Sequence, residues 1–107
     1  MAIAQQPLPA AHHKPCVPLG RLMHTQGVAE QVPTLRYMAA LTSYSRGDWG
    51  CLDSEDIAAN DAAVVDGSRI LAAYPIDPAL PCDGANVFWI ITEHDRSVTT
   101  ILLPSES

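Results

Sequence analysis

The stretch that most constrains this chain is NVFWIITEHDRSVTTILLP, which spans residues 86–104. It contains two runs rich in β-branched and aromatic residues, Val87–Thr92 and Ser97–Leu103, separated by the polar tetrapeptide EHDR. Residues of these types favour strands, and a short polar break between two such runs is typical of a tight turn. The stretch therefore predicts an antiparallel hairpin.

The hairpin pattern also predicts which residues face each other. A turn centred on the Asp-Arg pair of the tetrapeptide places Ile90 opposite Ile101 and Thr92 opposite Thr99. Both faces of the hairpin then carry mostly apolar side chains, whereas a sheet that meets water on one side alternates apolar and polar residues. We therefore expect the hairpin to be covered on both sides over much of its length and to form the core.

Upstream of the hairpin, the chain predicts a short edge strand over Leu19–Thr25, followed by a helical stretch from about Val28. Pro33 suits the first turn of a helix, because its missing N–H has no helical partner there. In the segment TLRYMAALTSYS that follows, one helical face is formed by Leu35, Met38, Ala39 and Thr42.

A second helix and a further strand fill the middle of the chain. Asp53 or Ser54 caps the helix, and Gly67 ends it. The segment Ser68–Ile76 then alternates as a strand does, and nearby prolines stop it. This order predicts an α+β fold in which two helices pack on a three- to four-stranded antiparallel β-meander.

The N-terminal residues 1–18 contain four prolines and no periodicity. They predict a flexible tail, followed by a single α+β domain over residues 19–107. Within the tail, His12, His13 and Cys16 have a spacing that resembles a ligand cluster. A proline-rich tail offers no scaffold for coordination geometry, so no metal site is expected.

Charge and cysteine content limit the partners and the compartment. The chain has twelve acidic and six basic residues, giving a net charge of −6 at pH 7. Nucleic acid is therefore not an expected partner, since neutralising phosphates requires clustered Lys and Arg. The three cysteines form no CxxC pair, which indicates neither a disulfide framework nor a zinc site. No signal peptide or membrane-spanning run occurs, so the predicted location is cytoplasmic, without membrane contact.

The polar tip of the hairpin is one candidate site. It gathers Glu93, His94, Asp95 and Arg96 in four consecutive positions. Histidine titrates near neutral pH and arginine offers a fork of donors, so the tip could serve acid–base chemistry or bind phosphate or a partner. The alternative is structural, because charged tips keep hairpins soluble and discourage edge pairing.

The loop RGDWG at residues 46–50 is a second candidate, with Arg46, Asp48 and Trp49 as binding residues. The structural alternative is a turn in which both glycines adopt positive φ, Trp49 fills the core and Asp48 accepts backbone hydrogen bonds. No GxGxxG, Walker, HExxH or GxSxG pattern occurs, so neither a cofactor nor a known catalytic motif is predicted.

Four segments of the chain resemble stretches found in a known family. They are LGR-x-M-x-T-x-GV at residues 19–28, RGDWG-x-LD-x-ED-x-x-x-N at 46–60, G-x-RI-x-x-x-Y at 67–74, and VFWIITEHDRSVTTILLP at 87–104. The pattern resembles small, functionally uncharacterised proteins of proteobacterial plasmids, phages and integrative elements. Many relatives have His where this chain has Tyr44.

The resemblance implies an origin on mobile DNA. With the acidic composition and the lack of a catalytic motif, it favours a small accessory protein that binds a macromolecular partner, most simply a protein, as an inhibitor of host defence of the anti-CRISPR or anti-restriction type. A homodimer is a further alternative, because an exposed edge strand at Leu19–Thr25 or at the third strand of the meander could pair between copies.

The alternative is an enzyme. The predicted element order is similar to that of toxin-like ribonucleases of the barnase kind, a likeness of fold alone. In that case Arg69, His94, Arg96 and Thr99 are the candidate catalytic residues, with His94 as acid or base and the arginines on phosphate. Convergence of these side chains in one concave pocket would favour the enzyme, and dispersal would favour binding.

Overall fold

A four-stranded sheet with the strand order β1-β4-β3-β2 is the framework of the fold. The computed structural model describes residues 17–107. The strands are β1 (Arg21–His24), β2 (Ile70–Tyr74), β3 (Phe88–Thr92) and β4 (Val98–Leu102); the helices are α1 (Gln26–Gln31), α2 (Thr34–Ser45) and α3 (Ser54–Asp66), and a 3-10 turn, Pro104–Glu106, follows β4. None of the described helices combines the length and the apolar character that crossing a bilayer requires.

The predicted α+β class and the predicted hairpin register are both confirmed. Strands β3 and β4 pair antiparallel, with Ile90 opposite Ile101 and Thr92 opposite Thr99. Strand β2 pairs antiparallel with β3, as the meander requires. The register is the predicted one because a shift by one residue would exchange the two faces of each strand.

The prediction of a purely antiparallel sheet is wrong, because β1 runs parallel to β4. Three helices and two strands separate β1 from β4 along the chain, so no hairpin fixes their relative direction. Two helices were predicted, whereas residues 17–107 form three. Val32, between α1 and α2, is extended at φ −114° and ψ 118°, since the residue before a proline is disfavoured in the helical region.

Most of the predicted tail lies outside the described residues, including His12, His13 and Cys16. Its penultimate residue, Val17, is buried, and its N–H donates to the carbonyl of Ser45 at 3.0 Å. The packed part of the chain therefore includes at least one residue before the predicted boundary at Leu19.

Helix α2 turns a different face inward from the predicted one. Leu35 is 85% exposed and Met38 is 52% exposed, and Ala39 and Thr42 are exposed as well. The buried residues of the helix are Ala40, Leu41 and Tyr44. The face that contains Tyr44 therefore packs inward and the predicted face does not, because an aromatic side chain buries more apolar area than the side chains of the predicted face.

The helices cover only one face of the sheet. All three contribute to a single core cluster, in which they meet Ile70, Ala72, Phe88, Ile90 and Ile101. On the opposite face, Ala73, Ile91 and Leu102 are buried but lie outside that cluster, and their neighbours Leu71, Trp89 and Val98 are partly exposed. Within residues 17–107 helices therefore cover the hairpin on one side, and the expectation that the other side is covered as well stays a prediction. We call this the open sheet face: Met23, Leu71, Ala73, Trp89, Ile91, Val98, Thr100 and Leu102.

The two edges of the sheet are treated differently. The outer edge of β2 is closed by the amide of Asn60, which donates to the carbonyl of Leu71 at 2.8 Å and accepts from its N–H at 3.4 Å. Two residues further, Gly50 forms a bridge with Ala73. At the other edge, all four residues of β1 are exposed.

A disulfide joins Cys51 to Cys82, 31 residues apart. It links the segment beside β2 to the loop that precedes β3. The expectation that the cysteines form no disulfide is therefore wrong, because a contact between two distant loops leaves no trace in cysteine spacing. The predicted cytoplasmic location loses this support and stays a prediction.

Candidate functional site

The loop at residues 46–50 has the structure of the predicted turn. Gly47 and Gly50 have φ of 83° and 78°, and a Cβ on Gly50 would lie 2.0 Å from the carbonyl oxygen of Ala73. The Asp48 carboxylate accepts from the Gly50 N–H at 3.1 Å. Only glycine fits at position 50, because the loop backbone lies directly against β2.

Trp49 is inside this turn and is only 2% exposed. Its indole N–H donates to Asp61 Oδ1 at 2.9 Å, and its ring meets Tyr44 edge-on with centroids 5.4 Å apart. The indole therefore joins α2 to α3, and its ring is not on the surface where a partner could contact it. Arg46 and Asp48 are exposed and stay predicted binding residues.

Tyr74 ties the same loop to the sheet. Its hydroxyl donates to the backbone carbonyl of Asp48 at 2.5 Å. Burial, with the nearby Asp48 charge second, raises the pKa of Tyr74 above its ordinary value, so the phenol stays a hydrogen-bond donor.

Arg96 at the hairpin tip is bound to the protein itself. It has φ 60°, the one non-glycine residue at positive φ among residues 17–107. Its guanidinium donates to the carbonyls of Ala63 at 2.8 Å, Ser68 at 2.7 Å and Glu93 at 3.1 Å. Two of these acceptors lie in the last turn of α3 and just beyond it, where the helix dipole attracts cations. Arg96 thus fastens the tip to the end of α3.

The other charged residues of the tip form local contacts. Asp95 accepts from the N–H of Ser97 at 3.0 Å and from its hydroxyl at 2.6 Å, and these bonds hold the pKa of Asp95 below its ordinary value. Arg69 lies 3.6 Å from Glu93 in an exposed ion pair. His94 is exposed.

Thr99, the fourth candidate catalytic residue, is fully buried. Its hydroxyl donates to the Leu19 carbonyl at 2.7 Å and lies 2.8 Å from the hydroxyl of Thr92. Thr92 in turn lies 2.6 Å from the hydroxyl of Tyr44. Thr99 therefore belongs to a buried hydrogen-bond chain and does not reach a substrate on the surface.

The four candidates of the ribonuclease hypothesis consequently form no common site. Arg69 and His94 are exposed, Arg96 is engaged by carbonyls, and Thr99 is internal. A cavity of about 310 Å³ lies elsewhere, at the base of the hairpin, and none of the four lines it; its lining residues are Gln31, Gly84, Ala85, Val87, Leu103, Pro104 and Ser105. Within residues 17–107, no group of three His, Cys, Asp or Glu residues is arranged to hold a metal ion.

Two positions that support the fold, Asn60 and Glu106, could not be found from the sequence. Asn60 closes one sheet edge, and Glu106 near the C-terminus accepts from the Thr25 hydroxyl, the Gly27 N–H and the Leu103 N–H at 2.5, 3.0 and 2.9 Å. Trp89 was placed correctly in the hairpin, where it is partly exposed. No periodic pattern marks Asn60 or Glu106, because both act through contacts distant in sequence.

No family model, curated protein or solved structure matches this chain.

Proposed function

We propose that this chain is a binding protein, an accessory protein of a mobile genetic element that inhibits a host defence system by contacting one of its protein components. The observation that carries the proposal is the open sheet face. Apolar side chains of a sheet face favour a covering layer, and within residues 17–107 the helices provide one on the opposite side only. A partner protein would supply the missing layer.

The state of the candidate catalytic residues supports binding over catalysis. A general acid or base needs to reach the reacting group, and a phosphate-binding arginine needs free donors. The Arg96 donors are taken up by carbonyls and the Thr99 hydroxyl is internal. Of the four candidate catalytic residues, only His94 and Arg69 have side chains exposed to a substrate, and Arg69 is paired with Glu93.

The kind of partner is inferred from charge and resemblance. A net charge of −6 disfavours contact with nucleic acid, so a protein surface is the expected partner. The more specific proposal, a component of a restriction or CRISPR system, rests on the resemblance of the GDWG and hairpin segments to proteins of mobile elements.

The test measures phage plating on cells that carry one defined restriction or CRISPR system and express the chain. Wild-type protein is expected to raise the plating efficiency by about tenfold or more, which corresponds to occupying most of the defence complex. Trp89→Lys, on the open sheet face, is expected to abolish the effect. Leu35→Lys, on the exposed side of α2, is the matched control and should behave as wild type.

Purified protein completes the test. Binding predicts a stable complex with the purified defence component, seen as a shift in gel filtration, which Trp89→Lys loses while its far-ultraviolet circular dichroism stays that of wild type. Degradation of RNA by the purified chain, abolished by His94→Ala, would instead establish the ribonuclease alternative and overturn the proposal.

A further inference from the structure

The outer edge of β1 presents unpaired backbone groups. The N–H of Arg21 donates to Ser97 at 2.9 Å and the N–H of Thr25 donates to Ile101 at 3.0 Å, so the odd-numbered residues face β4. Because strand backbone groups alternate in direction, the N–H and C=O of Leu22 and His24 point away from the sheet. Among the described strands, none lies beyond β1.

This edge is open although the fold closes the other one. Asn60 and Gly50 occupy the outer edge of β2, whereas no residue from 17 to 107 covers β1 in this way and Leu22 and Met23 are 51% and 48% exposed. An exposed edge with apolar side chains is a template for pairing with another strand. Such strand addition is an established mode of peptide recognition, in which backbone bonds supply affinity.

The side chains of β1 connect the edge to the open sheet face. Met23 is opposite Thr100 and therefore lies on the open face, while Leu22 is opposite Thr99 on the helix side. An added strand would contact both and would extend the open face outward from Met23. The edge and the open sheet face thus form one continuous surface.

The charges of β1 select the occupant. The strand carries Arg21 and His24 and no acidic residue, in a chain that is otherwise acidic. A second copy pairing antiparallel through the outward groups would place Leu22 opposite His24 and Arg21 opposite Thr25, which gives Arg21 no acidic partner. An acidic strand gains from Arg21 at short range. Glu106, just beyond the other end of β1, is engaged by the Thr25 hydroxyl and by the N–H groups of Gly27 and Leu103, and physiological salt screens acidic residues further than roughly 8 Å from Arg21.

On these grounds, and resting on the proposed binding function, we propose that β1 receives an extended acidic segment of the partner protein as a fifth strand of the sheet. Recognition uses the outward backbone groups of Leu22 and His24, and Arg21 selects for acidic side chains.

The test uses two synthetic peptides, one of alternating Glu and Val and one of alternating Lys and Val, each added to the full chain labelled with ¹⁵N. The acidic peptide is expected to shift the amide signals of Leu22 and His24 and to bind about tenfold tighter than the basic one. The net charge of the whole chain predicts the opposite order, so the pair of peptides is discriminating.

Two variants separate backbone from side-chain recognition. Leu22→Pro removes an outward N–H without removing a bond to β4, and is expected to weaken binding of the acidic peptide about tenfold. Leu22→Thr changes the side chain but keeps the N–H, and should bind almost as wild type. Tighter binding of the basic peptide, or equal binding by both variants, overturns the inference.

Light scattering tests the competing occupant. A dimer that Leu22→Pro converts to a monomer would show that a second copy takes the edge, which also overturns the inference. The two proposals can fail separately. Loss of defence inhibition in Trp89→Lys without any peptide response leaves the proposed function standing, and a peptide response without any defence inhibition leaves only the β1 edge.

Discussion

The hydroxyl of Tyr44 donates a hydrogen bond to Oγ1 of Thr92 across 2.6 Å and so joins α2 to the central strand β3. The direction follows by elimination. Thr99 gives its proton to the Leu19 carbonyl, so it accepts from Thr92, which leaves Thr92 to accept from Tyr44. Tyr44, Thr92 and Thr99 are all fully buried. Burial raises the pKa of Tyr44 to about 12, so this donor stays protonated at physiological pH.

Tyr44→Phe should lower the free energy of unfolding by about 1–2 kcal/mol, because Thr92 loses a buried donor that water cannot replace. Urea denaturation monitored by fluorescence measures the change. Tyr37→Phe on the same helix is the matched control; Tyr37 is half-buried and stacks on His24 through its ring, so its change should stay within about 0.5 kcal/mol. Equal losses in the two variants would contradict the assigned role.

The buried hydroxyl chain also shows what the sequence could predict. Thr92 and Thr99 were correctly placed opposite each other, because alternation with period two fixes the hairpin register. The same alternation places Thr99 on the face of Ile101, which is 2% exposed. The alternation of the strand therefore predicts that Thr99 is buried, which argues against the candidate catalytic role.

Other features depend on contacts that no local pattern contains. Helix α2 carries two apolar stripes, and the one that packs inward contains Tyr44, which contacts Thr92 of β3 and the ring of Trp49. The parallel direction of β1 and the pairing of Cys51 with Cys82 each join segments far apart in sequence. Arg96 looked like a free charge because its acceptors belong to α3 and to the turn before β2.

Arg96→Ala should destabilise the fold by about 2–3 kcal/mol, since charged hydrogen bonds to three carbonyls are lost. Arg96→Gly isolates the guanidinium, because glycine accepts φ of 60° without strain; it should lose slightly less. His94→Ala, in the same tip, is expected to change stability by no more than about 0.5 kcal/mol. Chemical denaturation of the three variants tests the order, and a larger effect at His94 would show that Arg96 does not fasten the tip.

Glu106 gives the fold a defined acid sensitivity. The hydrogen bond from Thr25, followed by the N–H groups of Leu103 and Gly27, lowers the pKa of Glu106 below its ordinary 4.5. A depressed folded-state pKa means that the stabilisation is fully present above the unfolded-state value and is lost as pH falls through the folded-state value.

The difference in unfolding midpoint between wild type and Glu106→Gln should therefore be constant near neutral pH. It should shrink once the pH drops below the pKa that the Glu106 carboxyl has in the unfolded state. Denaturation curves from about pH 7 down to about pH 3 measure it. Ser105→Ala on the same turn does not titrate and should show a pH-independent difference. A difference in unfolding midpoint between wild type and Glu106→Gln that grows as the pH falls would be opposite to this expectation and would exclude the assigned hydrogen bonds.

The Cys51–Cys82 disulfide should stabilise the fold without being needed to form it. A cross-link across 31 residues lowers the entropy of the unfolded chain and contributes about 3–4 kcal/mol in the chain-entropy model. Both ends are also held independently: the Cys51 N–H donates to the Ala73 carbonyl at 2.9 Å, and the Asn86 amide donates to the carbonyls of Asp77 and Pro81 at 3.1 and 2.8 Å.

The double variant Cys51→Ala/Cys82→Ala should accordingly keep the far-ultraviolet circular dichroism of wild type while its free energy of unfolding falls by about 3 kcal/mol. Cys16→Ser is the control. It keeps the Cys51–Cys82 cross-link and should therefore leave the free energy of unfolding unchanged. Thiol titration of the denatured, unreduced protein should find one reactive cysteine, and all three only after reduction. Three reactive thiols before reduction would contradict this account, because they would show that the cross-link does not form. Loss of secondary structure in the double variant would also contradict it, because the hydrogen bonds at Ala73 and Asn86 would then not hold the two ends without the disulfide.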